Sequence, residues 1–362
     1  MKKVLLLVLV VCMLLAAFGC APAEENSGSE APSNASQESD DTSSDISVAH
    51  IMFQGNQPVQ QILGQQFENL ATEAGYDVTI LDGQGDAEGI ANAANDLISK
   101  GVTGFTVQPQ DGASIDSVVR AAQEAGIPIV TIMNAPETET CPHVAMDEQD
   151  MAYELGAYAA QKWLEFYPDS HIVLGVLDEP MSEYVHEVRS QAFVDGVLSV
   201  QADAEVYWYA ANGVRDDGYN VTVDMLQAHP DVNIIYGTNG DASMGAFSAL
   251  RAAGRGTAQN GVPDTELFVS VDGTESELIE LADPNSSLKL CMAIQPGAMM
   301  ETLYNTLMDT INGEYAIDED VEVKVPNKIL DYYTMTVEDF EQFAAEQYLL
   351  DIDLEAKVAE RQ

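Results

Sequence analysis

Three planar polar side chains, Asn134, Asn239 and Asp272, each stand just behind a short apolar run of the kind that reads as a buried strand. In an open α/β sheet, the residues past the carboxyl ends of the strands are the ones that meet a ligand. Amides both donate and accept hydrogen bonds and a carboxylate accepts them, so this set suits a small polyhydroxyl molecule. Each residue also has a plainer use, because Asn and Asp commonly cap a helix that starts after a strand. Catalytic templates are missing: the chain has no GxSxG, HExxH or Walker lysine. No nucleophile and base pair emerges, and an enzyme is not expected. Gly83-Gln84-Gly85 with Gly89 imitates part of a dinucleotide fingerprint at the wrong spacing and reads as a strand-to-helix loop. No Cys/His spacing suggests a metal, no cofactor is implied, and His50, His143, His171, His186 and His229 read as structural.

The elements that must position these residues alternate along the chain. Strands are expected at 47–53, 77–81, 104–107, 128–133 and 143–146, with helices at 59–74, 91–99 and 115–124 between them. The pattern then restarts. Strands at 171–177, 205–210, 233–237, 267–271 and 288–294 alternate with helices at 151–166, 184–200, 217–228, 243–253 and 276–282, and a last helix covers 337–346. Two βα sets of similar size imply two Rossmann-like, doubly wound lobes, and their facing strand ends would enclose a ligand. A body from Ile46 to Gln362 is also longer than one hydrophobic core usually organises.

The N-terminal segment reads as an export signal. Met1, Lys2 and Lys3 precede an apolar run from Val4 to Phe18, too short for a permanent membrane span. Ala16-Ala17-Phe18-Gly19-Cys20 follows, close to a lipobox, so residues 1–20 are expected to be a lipoprotein signal with Cys20 as the lipidated residue. Phe18 departs from the small residue usual there. Residues 21–45 are rich in Ser, Glu, Asp and Asn, cannot bury enough surface to order themselves, and read as a tether from the bilayer. The chain holds 14 Lys and Arg against 60 Asp and Glu, and loss of Lys2 and Lys3 with the signal leaves 12 against 60, a charge near −48. No basic patch could neutralise phosphates, which excludes nucleic acid as a partner.

In the order and spacing in which they occur, several strings resemble the pentose/hexose-binding family of type I periplasmic binding proteins, the ribose-binding and galactose/glucose-binding group. They are Asn56-Gln57-Pro58, Ala74-Gly75-Tyr76, Gly126-Ile127-Pro128-Ile129-Val130 and Asp147 behind Val144-Ala145-Met146, then Ala228-His229-Pro230-Asp231-Val232, Thr238-Asn239-Gly240-Asp241-Ala242 and Val271-Asp272-Gly273-Thr274. The resemblance implies three hinge crossings, near Asp147, near Gln295 and within 323–328. It divides the body into an N-terminal lobe of 46–147 plus 295–323 and a C-terminal lobe of 148–294 plus 324–362. It also implies an exported, membrane-anchored, monomeric solute-binding lipoprotein that closes on a monosaccharide-like ligand and delivers it to an ABC permease. The alternative is a sensory protein presenting a sugar, nucleoside or autoinducer-2-like ligand to a chemoreceptor or histidine kinase.

By the same resemblance, Asn134, Asn239 and Asp272 would bind ligand hydroxyls. Asn56, Gln57 and Gln60 sit at the mouth after the first strand, where the aromatics of relatives are missing, and Phe53 and Gln54 would supply part of their role. Gln295 stands where relatives hold a ligand amide. Glu187 occupies the place of the family's ligand-binding Arg, which leaves either Arg189 in that role or a more acidic pocket. Gly213 stands where a stacking aromatic is expected, with Trp208 and Tyr209 as substitutes or as core residues. Tyr167-Pro168-Asp169-Ser170 is too short for the calcium loop of galactose-binding relatives. Cys141 and Cys291 would lie in different lobes, beyond disulfide reach, as two free, buried thiols.

Overall fold

A computed structural model describes residues 46–182 and 185–361. The expected signal peptide, the lipid site at Cys20, the tether and Tyr184 lie outside the described residues. The chain opens with β1 (Ser47–Met52), α1 (Pro58–Glu73), β2 (Asp77–Asp82), α2 (Ala87–Lys100), β3 (Gly104–Val107), α3 (Gly112–Glu124), β4 (Ile129–Ile132) and β5 (His143–Met146). It continues through α4 (Glu148–Phe166), β6 (Val173–Asp178), a π-helical segment Val185–Gln191, α5 (Ala192–Val200), β7 (Glu205–Ala210), α6 (Arg215–Ala228), β8 (Ile234–Gly237) and α7 (Gly240–Ala252). Then come β9 (Ala258–Gln259), β10 (Val262–Pro263), β11 (Leu267–Asp272), α8 (Glu275–Ala282), β12 (Leu288–Ala293), α9 (Pro296–Asn312), β13 (Glu322–Val325), β14 (Ile329–Asp331), α10 (Val337–Tyr348) and α11 (Leu354–Glu360).

Two six-stranded sheets result. The first runs β13-β5-β4-β3-β1-β2 and is parallel throughout, and the second runs β14-β12-β11-β8-β6-β7 with only β14 antiparallel. The order reverses beside β1 in one lobe and beside β6 in the other, which opens a crevice at each point. Strands buried on both faces read as continuous apolar runs. Ala49 and Ile51 point to α2 and α3, whereas Val48 points to Phe67 of α1 and to Met300 and Leu303 of α9. In the second sheet, Leu174 and Val176 face α4 and α5, while Val173 and Leu177 face the side covered by α6, α7 and α10.

Helix boundaries follow local chemistry. Asp86 Oδ1 accepts the Gly89 N–H at 2.7 Å to start α2, and Gly101 closes it at φ 67°. Asp111 does the same for α3 through Ser114 N–H at 2.8 Å. Several elements lie outside the sequence expectation: α9, the β9/β10 hairpin, β13, β14 and α11. The expected continuous helix over 184–200 is instead π-helical up to Gln191. Cys141 and Cys291 are free and buried, one in each lobe, as expected.

Helix pairs in the second lobe meet through reciprocal glycines. A Cβ on Gly156 of α4 would run into the Phe193 carbonyl, and one on Gly196 of α5 would run into the Tyr153 carbonyl. Gly218 of α6 and Gly245 of α7 oppose Ala242 and Arg215 in the same way. Helix propensity alone would make Gly196→Ala stabilising by about 1 kcal/mol. We expect a loss of about 2 kcal/mol instead, because α4 and α5 must separate to admit the methyl group. Urea unfolding checks this, and a gain in stability would show that the helices yield freely.

The three lobe crossings are tied to one another. Lys324 Nζ reaches Asp147 Oδ2 at 2.6 Å, joining the third crossing to the first. Gln295 Nε2 donates to the Pro326 carbonyl at 2.5 Å, joining the second to the third.

Candidate ligand-binding site

The second lobe brings its candidates to the crevice beside β6. Asn239 follows β8 and caps α7, its Oδ1 accepting the Ala242 N–H at 2.8 Å while Nδ2 donates to Glu179 Oε1 at 2.5 Å. Asp272 ends β11 at φ 110°, a conformation that a non-glycine residue holds only under constraint from its surroundings. Its Oδ2 accepts the Gly240 N–H at 2.8 Å, which places it beside Asn239. Asn239 and Asp272 line one cavity of about 360 Å³ together with Gly213, Arg215, Asp241 and Thr274.

Beneath this wall the charges are interlocked. Arg189 makes a two-pronged ion pair with Glu148, Nε to Oε2 at 2.6 Å and Nη2 to Oε1 at 3.2 Å, and Nη1 donates to the Thr238 carbonyl at 3.1 Å. Its guanidinium is therefore committed to the protein, and Glu187 is exposed. The π-helical segment delivers this geometry. From the same segment, Ser190 Oγ donates to Asp178 Oδ1 at 2.6 Å and His186 Nδ1 lies 2.7 Å from Asp178 Oδ2. Burial pushes the Asp272 carboxyl up to about 6, against the pull of Arg189 and of the Gly240 N–H. Deeper still, burial and the neighbouring Asp272 push the Glu277 carboxyl up, against the donors Thr274 N–H and Oγ1 that hold it.

The first-lobe candidates from Phe53 to Gln60 gather at the exit of β1, which pairs with β3. Gln60 is buried, with Oε1 accepting the Phe53 N–H at 3.1 Å and Nε2 donating to Gln108 Oε1 at 3.0 Å, so both ends of its amide brace the loop. Phe53 packs against the core. Gln54 Oε1 accepts from Gln57 Nε2 at 3.1 Å, and Asn56 and Gln57 are exposed. Asn134 is exposed after β4, and its Nδ2 donates to the carbonyls of Pro109 and Gln110 at 3.2 Å each. Gln295 stands apart from the second-lobe cavity, in the hinge.

Sequence reasoning passed over Glu179. The strand was expected to end at Leu177, but β6 extends to Asp178, and Glu179 then occupies the same post-strand place as Asn239. The glycine at 213 explains how it fits. A Cβ there would lie 2.8 Å from Glu179 Oε1 and 2.7 Å from Asn239 Nδ2, so a side chain at 213 and the Glu179–Asn239 pair exclude one another. Trp208 is exposed with its ring 5.3 Å from His186, Tyr209 packs on the core, and neither lines the cavity.

Two facing α/β lobes with three crossings and polar strand ends define a binding protein of the periplasmic type. Residues 48–315 match the periplasmic binding protein domain, and the chain belongs to that family. It is similar to the ribose import binding protein of Escherichia coli strain K12, with 27% identity over 242 residues, 65% of this chain and 79% of that protein. It is likewise similar to the ribose import binding protein of Bacillus subtilis strain 168, with 25% identity over 268 residues, 72% of this chain and 79% of that protein. Among solved structures, an ABC transporter periplasmic solute binding protein from Actinobacillus succinogenes 130z with bound D-allose superimposes with a TM-score of 0.62 at 18% identity, covering 82% of this chain and 99% of that one.

Proposed function

We propose that the protein is the capture component of an ABC importer, closing its lobes on a small polyhydroxyl ligand of the monosaccharide class and presenting it to a membrane permease. The observation that carries this reading is the pairing of Asn239 and Asp272 in one cavity of about 360 Å³ at the strand ends of a family member. Ligand contacts available only when the lobes close would supply the free energy that shifts them shut. Export and anchoring through Cys20 complete the reading, and they rest on the lipobox-like string and the polar segment behind it. The family, made of solute-binding proteins, supports binding without turnover.

A thermal-shift screen of monosaccharides, polyols, nucleosides and autoinducer-2 tests the ligand class, because a compound that binds only the folded state raises Tm. A response to nucleosides and to no sugar or polyol would defeat the sugar reading. Asn239→Ala and Asp272→Ala are each expected to weaken binding of the compound so found by about 1 to 3 kcal/mol, through ligand hydroxyls left unpaired. Asn239→Ala should also lower stability by about 1 kcal/mol through the lost cap of α7. Calorimetric titration separates the two effects, and unchanged affinity in both variants would place the ligand elsewhere.

A further inference from the structure

We infer that the ligand carries an amino group and that Glu179 and Asp272 select it, so that the site prefers a cationic amino-sugar or aminocyclitol over the neutral polyol of the same shape. This rests on the cleft assignment above and narrows its ligand class.

Acids outnumber cations at this wall, where Asp241, Asp272 and Glu275 line the cavity with Arg215. Asp272 lines the cavity with one oxygen held by the Gly240 N–H, and among the described residues its other oxygen has no hydrogen-bond partner. Glu179 accepts from the Asn239 amide and makes no ion pair among the described residues. Each nearby cation has an ion-pair partner of its own: Arg189 is held by Glu148 and reaches Asp272 only through its field, and Arg215, which lines the same cavity, pairs there with Asp241 at 3.1 Å. Both carboxylates are held beside Asn239, one by its side-chain amide and the other by the N–H of the next residue. Gly213 keeps open the space in which the Glu179 carboxylate sits.

A neutral hydroxyl would offer these acceptors one proton and no charge. An ammonium group offers three donors and a full positive charge, and a charge-assisted hydrogen bond is about twice as strong as a neutral one. A carboxylate only partly compensated in a cleft that closes on its ligand is costly, and a cationic ligand removes that cost while a neutral one leaves most of it. An anionic ligand would meet these carboxylates while Arg189 and Arg215 stay paired with Glu148 and Asp241.

The test is calorimetric titration of the full chain at pH 7 with pairs that differ only in an ammonium or a hydroxyl: glucosamine against glucose, galactosamine against galactose, and an inosamine against the matching inositol. We expect at least one amine to bind 10-fold or more tightly than its neutral twin, with Glu179→Gln and Asp272→Asn each shrinking that ratio several-fold. Neutral members binding as tightly as the amines or more so would overturn the amine selection and leave the sugar reading standing. Binding of nucleosides alone would overturn both. An amine preference that survives both substitutions would overturn the assignment to these two residues.

Discussion

Arg189→Met is expected to lower the unfolding free energy by about 3 to 5 kcal/mol, the loss typical when one partner of a buried ion pair is removed. The Glu148 side chain is 1% exposed and that of Arg189 is 13% exposed, so water cannot replace the guanidinium. The carboxylate would be stranded at the first turn of α4, and the Thr238 carbonyl would lose its donor. A second variant separates a buried charge from general damage: in Glu148→Met with Arg189→Met, most of the loss should be recovered, since replacing both members by apolar groups is often neutral. Urea unfolding of the two variants checks this. If Arg189→Met leaves stability unchanged while abolishing ligand binding, the guanidinium belongs to the ligand and not to the scaffold.

Lys289→Met should act in the opposite direction. Lys289 on β12 is fully buried, donates to the Asp283 carbonyl at 2.9 Å and lies 3.5 Å from the Tyr332 ring centroid. Burial pushes its ammonium down to about 7 from 10.5, against the opposing pull of Asp283 and Glu280. The unfolded chain therefore binds the proton more tightly than the folded one. Stability is lost as pH falls from about 10.5 to about 7, and below that the penalty is complete. Each pH unit by which burial lowers the ammonium is worth about 1.4 kcal/mol, and the lost hydrogen bond returns roughly 1 kcal/mol, so Lys289→Met should gain on the order of 4 kcal/mol at pH 6. The gain should shrink at pH 9 and above. Urea melts of both proteins at pH 6 and pH 9 read this out, and a gap that does not change with pH would mean that the lysine is charged inside the fold. Arg189 and Lys289 thus differ in one respect that decides the sign: the first has a carboxylate partner in ion-pair contact, and the second has only a carbonyl and a ring.

Much of the architecture was legible because it follows from local rules. Continuous apolar runs marked the strands of two parallel sheets, and the helical spacing between them marked most of the helices. The segment after Ile294 was not assigned a helix, although Met299, Met300, Leu303 and Leu307 of α9 repeat at helical spacing. Its place beside α1 depends on the second crossing, which returns the chain to the first sheet. β13 and β14 were missed for a related reason. Each is three or four residues long with only one or two buried side chains, and pairing with β5 and β12 defines them.

For the cleft, the sequence by itself determined which residue types stand at the strand ends: Asn239 after β8, Asp272 at the end of β11, Asn134 after β4 and a polar run after β1. That follows because the alternation of strand and helix is a local, periodic property, and the strand ends come with it. The tertiary structure alone decided what each side chain does there. It turned Gln60 and Gln295 to bracing the backbone, locked Arg189 onto Glu148 from a distant helix, and stood Glu179 in the space left by Gly213. Hydrogen-bond partners such as Glu148 and Arg189, or Glu179 and Asn239, lie tens of residues apart in the chain, and no periodicity records such pairings. They exist only once the sheet has brought its strand ends to one edge.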